Sequence, residues 1–359
     1  MSAAQARAQA FCSRFGLKLP VLLAPMAGAC PPSLSIAVLN AGGLGACGAL
    51  LMQPEEIIAW ANEVGSKGNE PYQLNLWIPD PPPLRDRDHE ARLRAFLERF
   101  GPPVPANAGD AKPPDFAAQC EAFLAIKPPI VSSIMGIYPA AFASKLKQAG
   151  IAWFANATTV AEARAAEDAG ADAIVAQGME AGGHRGTFEA SEAERRQVGL
   201  FALLPAVVDA VKIPVVATGG IGDARGVAAA LLLGASAAQI GTVLLRCPEA
   251  RLHPVWADAL AGTAPEDTMI TRAFTGRAGR SIATEYVRAA TAPDAPLPAP
   301  YPVQRALTAT MRSEAQKVGD VSRMQVWAGQ SARLARAEPA GQVVRDIWDG
   351  ARALLGWSA

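Results

Sequence analysis

The sequence predicts an α/β protein built as a (β/α)8 TIM barrel, with an insertion after strand three and a helical C-terminal extension. Three observations lead there. Short apolar runs recur, eight in all, through the first 250 residues. A helical stretch closed by glycine separates most neighbouring runs. Glycine-rich turns follow the later strands, where a parallel barrel carries its ligand.

The predicted strands are Val21–Met26, Leu44–Ala49, Tyr72–Trp77, Ile130–Met135, Ile151–Ala157, Ala173–Gln177, Pro214–Thr218 and Ala237–Leu244. Near-continuous apolar runs of this length suit a parallel sheet covered by helices. Thr159 with Glu162 reads as a capping box, and Gly170 as the stop of that helix. Asp223 reads as the cap of a helix that Gly234 closes, and Gly150 as the stop before Ile151. Eight alternating units favour a closed barrel over a doubly wound open sheet. The barrel is expected over 1–250 and the mainly helical extension over 251–359. Pro79 to Pro114 is rich in proline, and the segment 79–116 reads equally as a lid over the site or as an exposed insertion.

Composition narrows the function. The 359 residues hold 33 Lys plus Arg against 33 Asp plus Glu, so nothing points to nucleic acid or an anionic membrane as partner. Half the residues are hydrophobic and only 18% charged, enough apolar material for a large core. Five cysteines without a C-x-x-C pair read as reduced thiols of a cytoplasmic protein. Met1 to Leu17 lacks the apolar core of a secretory signal. Val227 to Leu245 is free of charge, but Gly234, Ser236, Gln239 and Gly241 interrupt it. It reads as a buried helix followed by a buried strand, and not as a membrane span.

Three clusters can carry chemistry. Thr218-Gly-Gly-Ile-Gly-Asp223 stands between a strand and a helix, where Gly219 and Gly220 let the backbone approach an anion. A dinucleotide fingerprint counted from Gly220 would need glycine where Arg225 stands, so a phosphate site is the better reading. Gln239-Ile-Gly241-Thr242 follows the next strand. Barrels often hold phosphate between these two loops, with Thr242 offering a hydroxyl and Gly241 an N–H. The third cluster, Gln177-Gly-Met-Glu-Ala-Gly182-Gly183-His184-Arg-Gly, sets one of three histidines in a glycine-rich loop. His89 and His253 read as surface residues. No residue has metal-ligand spacing to His184, and no G-x-S-x-G nucleophile elbow exists. Ala24-Pro-Met26 and the polar Asn75 in the third strand complete the expected mouth. Tyr286, Tyr301 and Lys317 are tail residues that could reach it.

Ala24-Pro-Met-Ala-Gly, Asn75, Gln177, Glu180-Ala-Gly-Gly-His-Arg-Gly, Gly219-Gly-Ile-Gly and Gln239-Ile-Gly-Thr together resemble the nitronate monooxygenases. The resemblance runs from about Val21 to Leu245, and Thr275-Gly-Arg and Trp327-Ala-Gly-Gln extend it. It implies a barrel with non-covalent FMN, touched by Met26, Asn75, Gln177, Gly182, Gly183, Gly219, Gly220, Gln239, Gly241 and Thr242. The glycines and Thr242 would take the phosphate, and Asn75 and Gln177 would face the ribityl chain or ring. His184 would be catalytic, positioning an alkyl nitronate or acting as base toward a neutral nitroalkane. The implied reaction is oxidation of the nitronate by O2 to a carbonyl compound and nitrite, through a flavin semiquinone. Two alternatives stand beside it: an NAD(P)H-dependent FMN reductase of the enoyl-acyl-carrier-reductase or quinone-reductase type, and a non-redox barrel that binds a phosphate ligand.

Overall fold

In the computed structural model, which describes residues 1–67 and 71–357, all eight predicted strands form. They are Val21–Leu23 (β1), Gly45–Gly48 (β2), Tyr72–Trp77 (β3), Ile130–Ile134 (β4), Ala152–Ala157 (β5), Ala173–Gln177 (β6), Val215–Thr218 (β8) and Ala237–Ile240 (β9). Three further strands, Gly183–His184 (β7), Thr268–Thr271 (β10) and Gly279–Ile282 (β11), make a second, antiparallel sheet. The eight-stranded sheet is parallel throughout, and a bridge between Leu22 and Leu44 joins its two edges. It is therefore a barrel and not an open sheet.

The eighth strand stops at Ile240, short of the predicted Leu244. Gly241 leaves the extended region (φ −126°, ψ −77°) and starts a 3-10 turn at Thr242. The local helix signals mostly act as read. Asp223 caps Ala224–Leu232 by accepting from the Gly226 N–H at 3.1 Å. Thr159 caps Val160–Asp168, but Glu162 does not return the bond to Thr159. Its carboxylate accepts instead from the N–H of Thr158 and from the N–H of Phe188, at 2.7 and 2.8 Å. The box is thus opened to tie down the loop that follows β6. Among the described residues no helix is long and apolar enough to cross a membrane.

Alternation along the strands places the site. The outward side chains, such as Leu23, Leu74, Val131 and Ala155, pack under the helices in the main core. The inward ones split by height. Near the strand starts they are apolar: Leu22, Leu44, Ile130, Phe154 and Val216 meet Phe11 and Phe15 of the N-terminal helix Ala3–Phe15. Near the strand ends they are Gln73, Asn75, Ser132, Asn156, Gln177, Thr218 and Gln239, and these line a cavity. An aromatic cluster thus fills one end of the barrel and polar side chains face a void at the other.

Two segments carry packing that the sequence reading did not specify. The insertion, read as a lid or an exposed segment, buries one apolar face. Its helix Arg87–Leu97 buries Leu93 and Leu97, which with Phe100 and Val104 join Phe274, Tyr286, Val303, Leu307 and Met311 in a second core. The extension is mainly helical and also supplies β10 and β11. Its last helix, Ala340–Leu355, returns to the barrel wall. That helix buries Ala340, Val343, Val344, Ile347 and Ala351, a spacing that gives one apolar face. Gly350 allows the close approach, because a Cβ there would lie 2.7 Å from the Cβ of Ala224.

Candidate active site

A cavity of about 510 Å³ opens at the C-terminal ends of the barrel strands, within the range of small-molecule and cofactor sites. Every site residue singled out in the sequence lines it: Met26, Asn75, Gln177, Gly182, Gly183, His184, Gly219, Gly220, Gln239, Gly241 and Thr242. The extension adds Thr275, Arg305, Arg312, Gln316, Gln325, Trp327, Gly329 and Ser331.

One side of the cavity is main chain. Thr218 pairs with Gln239 in register, so the turns after β8 and β9 are neighbours. Gly219 and Gly220 hold φ of +117° and +69°. Their turn leaves the N–H groups of Gly220 and Ile221 without an acceptor among the described residues. A Cβ on Gly219 would sit 3.1 Å from the Gly178 carbonyl oxygen, and one on Gly241 would sit 3.2 Å from the Met26 sulfur. Thr242 Oγ1 accepts the Gly329 N–H at 3.0 Å, which leaves its own hydrogen to donate.

The opposite side is built around His184. The loop after β6 straightens into β7, with His184 paired to Gly279 of β11. Gln177 lines the cavity and its amide is also held by the backbone. Its Nε2 donates to the His184 carbonyl at 3.0 Å, and its Oε1 accepts from the Gly186 N–H at 2.8 Å. It holds the histidine strand in place. Arg185 lies beneath this loop and does not line the cavity. It donates to the Gly178 carbonyl at 2.7 Å, while Arg280 donates to the Met179 carbonyl at 2.9 Å.

The His184 ring packs edge-on against Trp77 and Trp327, at 4.5 and 4.8 Å between centroids. Its Nε2 lies 2.8 Å from Thr275 Oγ1, which also lies 3.2 Å from the Arg277 carbonyl oxygen. Burial, aided by the charges of Arg277 and Arg305, pushes the imidazole down from 6.5 to about 3. His184 is therefore neutral at physiological pH. Arg277 is itself anchored. It is 1% exposed and forks onto Asp80 of the insertion, with Nε at 2.8 Å and Nη2 at 2.5 Å.

Sequence reasoning missed several lining residues. Ser132 and Asn156 sit at inward positions next to recognised ones, and Asn75 donates to Ser132 Oγ at 3.0 Å. Period-two counting from Asn75 and Gln177 would have found them. His253 is not a plain surface residue: it caps Pro254–Gly262 through Nδ1 and lines the cavity mouth. His89 stays away from the cavity, against the Leu297 carbonyl. Tyr286 is buried in the second core, Tyr301 packs on Trp77, and Lys317 is exposed; none of them lines the cavity.

A closed barrel whose mouth joins a glycine turn with free N–H groups to a half-buried neutral histidine defines a cofactor-type (β/α)8 enzyme. The chain belongs to the nitronate monooxygenase family, which it matches over residues 9–350. It is 38% identical over 338 residues to the nitronate monooxygenase of Paraburkholderia phytofirmans, covering 92% of both chains. Its fold is similar to that of a nitroalkane oxidase from Streptomyces ansochromogenes, with a TM-score of 0.87 at 36% identity over 96% of this chain and 99% of the other. FabK from Thermotoga maritima is more distant, with a TM-score of 0.74 at 27% identity over 97% of each chain.

Proposed function

We propose that this cavity binds flavin mononucleotide and oxidises alkyl nitronates with O2 to a carbonyl compound and nitrite. Oxidation of nitronates follows from membership of a family of flavin-dependent oxidoreductases. FMN as the flavin, and the residues that hold it, are inferred from the site.

The residues suit that group. Unpaired N–H donors at Gly220 and Ile221, the glycine turns and Thr242 match a terminal phosphate. Gln73 Oε1 and Asn156 Oδ1 are buried without a hydrogen-bond partner among the described residues, both on lining residues, and would accept from ligand N–H or O–H groups. No Asp or Glu lines the cavity among the described residues. When bound, the flavin supplies the electron transfer between nitronate and O2. The protein binds, orients and excludes water. A nitronate is already an anion, so no proton has to be removed from carbon. His184, neutral and fixed by Thr275, orients substrate by hydrogen bonding. A base near 3 is poorly matched to proton abstraction from a neutral nitroalkane at neutral pH.

The observation that carries this reading is the joining, in one cavity, of the Gly219–Gly220 and Gly241–Thr242 turns with His184. The test is the visible spectrum of the purified protein, followed by nitrite release from ethyl nitronate. A protein that stays colourless after FMN is added refutes the flavin assignment. Anaerobic bleaching by NADH or NADPH, without reaction of nitronate, supports the reductase reading instead. Five unpaired cysteines support a cytoplasmic location.

A further inference from the structure

The cavity needs a positive charge near His184, and the histidine does not supply it. Among the described lining residues the cationic side chains are Arg251, Arg305 and Arg312, and none is Asp or Glu. Their surroundings separate them. Each guanidinium nitrogen of Arg312 is engaged, with Nε donating to Thr308 Oγ1, Nη1 to Gln325 Oε1 and Nη2 to the Arg305 carbonyl, at 3.1, 3.0 and 2.9 Å. Arg251 is exposed at the outer rim. Arg305 is half-buried, lines the cavity and lies near enough to His184 for its charge to act on the ring. Its guanidinium makes no hydrogen bond or ion pair with any described residue. Its backbone is nonetheless pinned, since its carbonyl accepts from both Arg312 and Thr308.

We propose that Arg305 is the specificity-determining residue of the substrate chamber: its free guanidinium selects a planar oxyanion, the ionised nitronate, over the neutral nitroalkane. This rests on the nitronate reading of the site. A planar fork of N–H donors matches the two oxygens of a nitronate as it matches a carboxylate. A chamber walled by Trp77 and Trp327 screens charge less than bulk water does, which strengthens that pairing. Arg312 acts behind it, holding the helix Val303–Leu307 from which Arg305 projects.

Nitrate, a planar oxyanion that is not a substrate, serves as the probe. Its Kd is measured by calorimetry on flavin-loaded wild type, Arg305→Gln and Arg305→Lys. Thermal melting and flavin content confirm that each variant is folded and loaded. The expected result is nitrate binding weakened at least tenfold in Arg305→Gln and partly restored in Arg305→Lys. The kcat/KM for ethyl nitronate should fall in the same order. Equal nitrate affinity in wild type and Arg305→Gln overturns the proposal. So does a lysine variant as weak as the glutamine one, or a wild type that turns over nitronate yet binds no nitrate. Nitrate binding is read without turnover, so a wild type that binds nitrate but yields no nitrite refutes the nitronate activity and leaves the anion chamber standing.

Discussion

Substituting alanine for Gly219 separates the cost of a strained backbone from the loss of a ligand cradle. Gly219 sits at φ +117°, and its added Cβ would meet the Gly178 carbonyl oxygen at 3.1 Å. An L-residue held in so sparsely populated a region costs about 1–3 kcal/mol. If the turn relaxes to relieve that strain, the free N–H of Gly220 moves with it. A lost hydrogen bond to a charged group is worth about 1.5–3 kcal/mol, so FMN should bind about 10- to 100-fold more weakly. Gly170 provides the control. It has φ +96° with open space around its missing side chain, and it does not line the cavity. Gly170→Ala therefore carries similar backbone strain without a role at the site. FMN affinity is measured by fluorescence titration of the apoprotein, and stability by thermal melting. Both variants should melt earlier, but only Gly219→Ala should lose FMN affinity. Wild-type affinity in Gly219→Ala, or equal loss in Gly170→Ala, would refute the phosphate cradle.

Other perturbations follow from the same geometry. His184→Asn should keep the flavin and lower kcat/KM for nitronate at least tenfold, about 1.4 kcal/mol of barrier; steady-state nitrite release measures it. The histidine also shapes stability against pH. Its folded value of about 3 lies below the ordinary 6.5, so the unfolded chain binds the proton more readily. The stabilisation is complete above pH 6.5 and declines as pH falls toward 3, by about 2 kcal/mol at pH 5. Wild type should lose that much more stability than His184→Asn between pH 7 and pH 5, as denaturant melts would show. Thr275→Val removes the Nε2 partner at 2.8 Å. It should reduce kcat more than it raises KM, with Thr275→Ser recovering most of the rate. Asp80→Asn strips the buried Arg277 of its charge partner and should destabilise the protein by about 2 kcal/mol, read from urea midpoints.

Much of the site was legible along the chain because its parts repeat at a fixed structural address. Each glycine turn lies at a strand end, so Gly219, Gly241 and His184 could be assigned to one mouth by counting strands. Asn75 stood out as a polar residue in an apolar run, and Gln177 and Gln239 as the first residues of strand-end clusters. What each amide does was not legible. Gln177 spends both ends of its side chain on the backbone of residues 184 and 186, while Asn75 meets Ser132. A partner 57 positions away in the chain leaves no local trace.

The eight-strand barrel and its ligand-bearing end were determined by the sequence itself, since strand alternation, helix stops and turn glycines act over a few residues. Tertiary structure alone decided the chemistry of the second wall. It brought Thr275, Arg305 and Trp327 from the extension onto His184, tied Asp80 to Arg277 across the insertion, and returned Ala340–Leu355 to the barrel. Burial and charge are sums over neighbours from distant segments. A histidine's protonation, or an arginine left without a partner, exists only once those segments have packed.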